Sequence, residues 1–177
     1  MDNGLNINLI FAMDNKGGIG KDNQLLIKCK EDMKFFKDTT TNNIVIMGYN
    51  TFKSMSYKAL PNRLNFVITN TDIKCDNVIT VKHISDAFHI INCINYIDKS
   101  FLINHSIFII GGAYVYNYCL DNYPNSIDNV YSTEYNDDYN ADIFINKKHI
   151  DSNFYKKNKI KIKDLSYNLG SIYVYKN

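Results

Sequence analysis

The chain has 177 residues, 45% of them hydrophobic and 21% charged, and a formal net charge of +2. That is one domain's worth of ordinary globular composition, enough to bury a core without staples. No apolar run approaches the roughly 20 residues of a membrane span, Met1 to Asn8 carries no basic-then-apolar leader, and so small a charge gives no reason to expect nucleic acid, so a cytoplasmic protein is expected.

In chain order, Ile7 to Met13 is a mostly apolar run ending in the turn Asp14-Asn15, which predicts a buried strand. Lys16 to Lys21 holds three glycines and is expected to be a mobile loop. Glu31 to Thr39 predicts a helix, with Asp32, Met33 and Phe36 at helical spacing. Ile44 to Met47 is a short strand ending in Gly48, and Thr51 to Met55 suits a short helix. Leu64 to Thr69 predicts a strand, and Val78 to Val81 a shorter one. Ser85 is expected to cap a helix running to about Tyr96, with Phe88, Ile91 and Ile94 on one side. Ser106 to Ile110 is a strand that meets Gly111-Gly112. Ala113 to Leu120 predicts a helix stopped near Pro124. Ile127 to Thr133, Lys156 to Ile162 and Ser171 to Tyr175 read as closing strands. The alternation of Lys and Ile over 159–163 gives the second of these one wet face.

Strands alternate with helices up to residue 120 and then dominate. This predicts a single α/β domain over 1–177: a mixed, mostly parallel sheet of about eight strands flanked by helices, with antiparallel strands added late. Ligands bind such folds beyond the carboxyl ends of the strands, at loops 14–31, 48–52, 69–72 and 111–114. Cys29, Cys75, Cys93 and Cys119, with His83, His89, His105 and His149, show no ligand spacing, so no metal site is expected.

Four features carry chemistry. Gly111-Gly112 between a strand and a helix lets a phosphate or ring approach the backbone and the free N–H groups of the helix start. A plain tight turn would explain the pair as well. Gly48 offers the same approach ahead of Thr51, whose hydroxyl suits a phosphate or a simple cap. Asp32 shares a helix face with Met33 and Phe36, where a carboxylate is costly unless paired or protonated. It could hold a planar, nitrogen-rich ring through two hydrogen bonds, or simply favour the helix N-terminus. Asn, Ile, Lys and Tyr, which share AT-rich codons, make up nearly half the chain, and the one arginine is Arg63. Its rigid fork matches a carboxylate as lysine cannot.

In order, the chain reads Ile19-Gly20, Asp32 with Phe36, Val45-Ile46-Met47-Gly48 with Thr51, Leu60-Pro61 with Arg63, Ile110-Gly111-Gly112 with Tyr116, Thr133, then Asp142. That order and spacing resemble dihydrofolate reductase along nearly the whole chain. The resemblance implies reduction of 7,8-dihydrofolate by NADPH, in a monomer that antifolate inhibitors would also bind and that touches neither nucleic acid nor membrane. It implies that Asp32, braced by Thr133, holds the pterin's 2-amino group and N3. Ala12, Ile27 and Ile110 would border the ring. Met33, Phe36, Met55 and Leu60 would line the aminobenzoyl pocket, and Arg63 would bind the α-carboxylate of the glutamate tail. Ile19 and Gly20 would flank the nicotinamide. Gly48, Asn50, Thr51, Gly111, Gly112, Ala113, Val115 and Tyr116 would hold the rest of NADPH, with a cis peptide at Gly111-Gly112. An end at Asn177 is expected to leave no room for a fused thymidylate synthase.

The chain departs from the family pattern in three places. Leu25-Leu26-Ile27 stands where Leu-Pro-Trp is usual, and there is no tryptophan at all. Ile27 fills volume but has no N–H to anchor the water near the pterin. Around the cofactor's 2′-phosphate, Tyr49, Asn50 and Asn70 replace the usual cations, leaving Thr69 and Lys82 as candidates. Asn62 replaces the usual glycine before Arg63, which a left-handed asparagine tolerates. These losses leave room for a catalytically weak member kept as a folate- or nucleotide-binding protein. A pyrimidine reductase of riboflavin synthesis would share the fold but gives no reason for Asp32 with Arg63.

Overall fold

A computed structural model describes residues 5–153 and 158–177. The predicted apolar runs form the strands β1 (Ile7–Met13), β3 (Ile44–Gly48), β4 (Leu64–Ile68), β5 (Val78–Val81) and β6 (Ile107–Gly111). Together with β7 (Ile127–Tyr135), β9 (Lys159–Asp164) and β10 (Gly170–Lys176) they make one eight-stranded sheet in the order β5-β4-β3-β6-β1-β7-β10-β9. The six strands from β5 to β7 run parallel; β10 is antiparallel to both β7 and β9. The expected fold class is therefore observed. The part of the predicted strand at 156–157 lies outside the described residues.

The central strands are apolar at every position because both faces of the sheet are covered. Ile7, Leu9, Ile44, Ile46, Ile107 and Ile109 point into one core, shared with α3 (Ile84–Ile97) and α5 (Ala113–Asn122). Alternate residues Ile10, Val45, Met47, Phe108 and Ile110 point to the other face, against α2 (Tyr49–Ser54) and the aromatic side of α1 (Lys30–Thr40). A third, smaller cluster around Cys29, Tyr135, Leu165 and Ile172 covers the β7–β10 end of that second face. Ala12 and Ile27 pack against this third cluster, and Phe35 of α1 against both clusters.

Several local expectations are corrected. Gly18–Gly20 is not a loop but a strand, β2, paired with a short β8 (Ile143–Phe144). The buried carboxylate of Asp14 organises the turn before it, with Oδ1 accepting the N–H groups of Lys16 at 2.9 Å and Gly18 at 2.8 Å. Glycine is required at 18, where a Cβ would lie 2.3 Å from that of Ala141. Helix α3 starts at Ile84, and Ser85 sits inside its first turn. The N-terminal bond runs instead from the His83 N–H to the Asp86 carboxylate at 2.9 Å. Helix α2 begins directly after Gly48, two residues ahead of Thr51. Short helices α4 (Phe101–Asn104) and α6 (Lys147–Asn153) were not foreseen. Strand β9 is exposed at every position, not on one face alone.

Gly170, which starts β10 opposite Tyr135, has φ +152, and a Cβ there would lie 2.0 Å from the Glu134 carbonyl oxygen. Gly170→Ala therefore combines a strained backbone with a main-chain clash and should cost roughly 2–5 kcal/mol. Urea unfolding should show a lower midpoint with an unchanged slope.

Candidate active site

Because six strands are parallel, their carboxyl ends share one rim of the sheet, and two clusters of predicted residues lie along it. The first is built on Asp32. Helix α1 brings it over the sheet, and the Thr133 hydroxyl on β7 donates to its Oδ1 at 2.5 Å. Register places Ala12 on β1 and Ile172 on β10 directly beside Thr133. No described residue donates to Asp32 Oδ2, and no described cation pairs with the carboxylate. Burial raises its pKa above the usual carboxylate value, partly offset by the Thr133 bond.

Asp32 lies where the two clusters on this face meet. Ile27 and Ala12 belong to one side; Phe36, Met55, Leu60 and Ile110 belong to the other. Met33 is 52% exposed and sits outside this packing. Phe35, which the helical spacing did not single out, takes the inward position and tilts against Tyr131 at 6.2 Å.

Arg63 lies at the outer end of the same side. Its guanidinium is 5.9 Å from the Phe36 ring centre and donates to Thr41 Oγ1 at 3.0 Å. Its Nε is buried with no partner, and it makes no ion pair with any described carboxylate. The turn that presents it is held by the fully buried Asn65, a residue the sequence did not flag. Asn65 Nδ2 donates to the carbonyls of Leu60 at 3.0 Å and Arg63 at 2.9 Å, and its Oδ1 accepts the Leu60 N–H at 3.0 Å. Asn62 takes the left-handed conformation expected of it, with φ +56.

The second cluster joins the ends of β3 and β6. The Gly111–Gly112 peptide is cis, and Gly111 has φ +128. A Cβ would meet Thr51 Oγ1 at 3.0 Å from Gly111 and at 3.4 Å from Gly112, and Val115 Cγ2 at 3.2 Å from Gly48. Three glycines, Thr51 and Val115 thus form one corner in which backbone lies bare at the starts of α2 and α5. Ala113 opens α5, and Asn50 is exposed on α2. Tyr116 lies beneath this corner, buried, with its hydroxyl donating to the Ile10 carbonyl at 2.7 Å. The chemistry of this corner suits a phosphate-bearing dinucleotide: close backbone approach, free helix-start N–H groups and a hydroxyl.

Along the same rim, the Thr69 N–H donates to the Val81 carbonyl at 2.8 Å, which brings Thr69 and the exposed Lys82 to one corner at the ends of β4 and β5. Ile19 packs partly against the main core, and Gly20 accepts the Asp142 N–H at 3.1 Å. Asp142 in turn accepts the Asp22 N–H at 3.0 Å, so the predicted Asp142 is a brace for the 20–22 segment. Among the described residues, no group of three or more His, Cys, Asp or Glu is placed to hold a metal ion, and no helix is long and apolar enough to cross a membrane.

A family model described as dihydrofolate reductase matches residues 6–171. The chain is 34% identical over 139 residues to a bifunctional dihydrofolate reductase-thymidylate synthase of Paramecium tetraurelia, covering 78% of this chain and 28% of that protein. It is 38% identical over 112 residues to a dihydrofolate reductase of Buchnera aphidicola, covering 63% of each. To that of Bacillus subtilis it is 33% identical over 137 residues, covering 77% of this chain and 73% of the relative. The chain thus spans less than two thirds of the length of the first two relatives. Among solved structures, dihydrofolate reductase from Enterococcus faecalis, complexed with NADP(H) and RAB-propyl, shares the fold with a TM-score of 0.71 at 24% identity, over 98% of this chain and 96% of that one.

The raised pKa of Asp32 has a sign that stability can test. A carboxyl that holds its proton more tightly when folded stabilises the fold below its ordinary pKa and loses that contribution as pH rises through the folded value. At neutral pH the ionised group is a burden. Asp32→Asn should therefore raise the melting temperature of the ligand-free protein at neutral pH. The gain should shrink as pH falls into the carboxylate range, as thermal unfolding of both proteins across pH would show.

Proposed function

The chain belongs to the dihydrofolate reductase family, and we propose that it reduces 7,8-dihydrofolate to tetrahydrofolate with NADPH. The observation that carries this reading is Asp32: a carboxylate in an apolar cleft, with one hydroxyl partner and no described cation. Such a group is matched by a flat ring that presents two adjacent N–H donors to its two oxygens, as the 2-amino group and N3 of a pterin do. Ala12, Ile27 and Ile110 would border that ring, with Phe36, Met55 and Leu60 along the aminobenzoyl group and Met33 at the rim. Arg63, charged and free of carboxylates, would take the α-carboxylate of the glutamate tail at the far end.

The glycine corner fits the cofactor. Gly48, Asn50, Thr51, Gly111, Gly112, Ala113 and Val115 would hold NADPH, with Tyr116 supporting the floor and Ile19 and Gly20 flanking the nicotinamide. Thr69 and Lys82 would meet the 2′-phosphate; a single flexible lysine there gives a less steep preference over NADH than fixed arginines would. Held by these residues, NADPH would supply the hydride that C6 of the pterin receives. Asp32 orients and polarises the ring, Thr133 holds Asp32, and water delivers the proton to N5. The chain contributes alignment and a mostly dry cleft. Antifolates that present the same donor pair would compete for Asp32. The reading takes the enzyme to be a cytoplasmic monomer.

The deciding measurement is turnover of dihydrofolate with NADPH by the chain and by Asp32→Asn at neutral pH. The variant should lose roughly tenfold or more in single-turnover rate while binding NADPH as before; a smaller loss would falsify the role of Asp32. Arg63→Lys turns a fork into a point contact and should weaken folate binding by about 1–3 kcal/mol. Ligands without a glutamate tail should bind as to the wild type, and equal losses for both kinds would show Arg63 to be structural only.

A further inference from the structure

Among the described residues, the Arg63 side chain makes one hydrogen bond, from Nη2 to Thr41 Oγ1 at 3.0 Å, while its buried Nε has no partner. The Phe36 ring, 5.9 Å away, bounds the guanidinium on one side but does not set the direction of its N–H fork. Thr41 is itself held. It directly follows α1, and its N–H, at 3.0 Å, and its hydroxyl, at 2.7 Å, both donate to the Lys37 carbonyl. With its one proton so committed, the hydroxyl meets Arg63 only as an acceptor, at a point set by the helix end. The backbone beside it is tied to the turn that carries Arg63. The Asn42 N–H donates to the Asn62 carbonyl at 2.8 Å, and the Leu64 N–H to the Asn43 carbonyl at 3.1 Å. These bonds fix where the Arg63 side chain starts, and the Thr41 hydroxyl fixes where its charged end lies.

We propose that Thr41 is a positioning residue for the substrate: its hydroxyl holds the Arg63 fork ready for the α-carboxylate of the glutamate tail. This rests on the dihydrofolate reading above. Nη2 gives one of its two protons to Thr41, which leaves its other proton and the pair on Nη1 for the two carboxylate oxygens. An arginine without that tether would lose its rotamer freedom only on binding, and the cost would appear in affinity. The tether also joins the two anchors of the site. Asp32 lies in the first turn of α1 and Thr41 just past its end, about 14 Å along at the helical rise. One rigid helix thus sets the separation between the group that holds the ring and the group that holds the tail. A substrate whose stiff aromatic spacer keeps ring and carboxylate apart is met with both anchors in place.

Thr41→Val tests this, since it keeps the shape and removes the hydroxyl alone. The Lys37 carbonyl retains the N–H of residue 41, so the variant should fold as the wild type does. The KM for dihydrofolate should rise about three- to tenfold, the scale of one lost hydrogen bond, with the maximal rate and the KM for NADPH unchanged. With 6-methyl-7,8-dihydropterin, which has the ring but no tail, kcat/KM should stay at its wild-type value. Thr41→Ser keeps the hydroxyl and should bind dihydrofolate as the wild type does. In an Arg63→Ala background Thr41→Val should add nothing, because no fork is left to aim. The proposal is overturned if Thr41→Val leaves the KM for dihydrofolate unchanged or weakens the tailless pterin equally. Arg63→Ala separates the two readings. If it weakens tailed over tailless substrate while Thr41→Val does not, Arg63 is the tail anchor and only the role of Thr41 falls. If it spares the tail, or the wild type does not reduce dihydrofolate, the reading beneath the proposal is wrong and both fall.

Discussion

The site hangs on one contact between residues 101 positions apart, in which the Thr133 hydroxyl donates to the Asp32 carboxylate. Helix α1 has few other polar ties to the sheet. At the helix start Glu31 accepts the Ser166 N–H at 2.9 Å and, from β9, the Lys163 ammonium at 3.3 Å, and beyond that the helix rests on Phe35 and Phe36. Lying between two apolar clusters, Asp32 is poorly solvated, and the single hydroxyl does not fully compensate. A residue left in this state raises the free energy of the empty protein and lowers that of a complex whose ligand supplies the missing donors. Selectivity then follows from the same imbalance, because a ligand lacking those donors would seal the carboxylate away from water and gain nothing.

The parallel sheet explains why the two half-sites meet. Strands β3, β6 and β1 lie side by side and point the same way, so the glycine corner after β3 and β6 and the Ala12 position near the end of β1 fall along one rim. The register Ala12–Thr133 carries that rim across to the Asp32 side. Asp14 and Asp142 then act as paired braces: one shapes the turn after β1, the other fastens Gly20 and Asp22. The 14–22 segment is thereby held from two directions by carboxylates.

Much of this was legible in the sequence, for physical reasons. Long apolar runs and helical spacing carry their own period, so the parallel core, α1, α3 and α5 were readable. Asp32, Arg63 and the glycine pair stood out because each is costly or rare in its setting. The misses are of other kinds. Strands of two or three residues, such as β2 and β8, have no period to detect, and glycine there answers to Ala141, more than a hundred residues away. Asn65 reads as one asparagine among many until its burial under the Leu60–Arg63 turn is seen. Tyr135 reads as the tail of a strand, and only packing reveals a buried hydroxyl without a partner among the described residues. Ser85 misled because a serine near a helix start suggests a cap, whereas here Asp86 serves the first turn.

Strand β9 closes the sheet on one side, with exposed Ile160 and Ile162 interleaved with Lys159, Lys161 and Lys163, whose ammonium groups pair with Glu134, Asp164 and Glu31. An open strand with exposed isoleucines is a template onto which another chain's strand could add. Three lysines in five residues oppose that addition, since a second copy would have to bring its own lysines alongside them and disturb their ion pairs. Lysines at these three positions therefore make this edge a poor template for another strand. Neutralising them together would leave the strand's isoleucines without that opposition, and it would also release Glu31 at the start of the helix that carries Asp32.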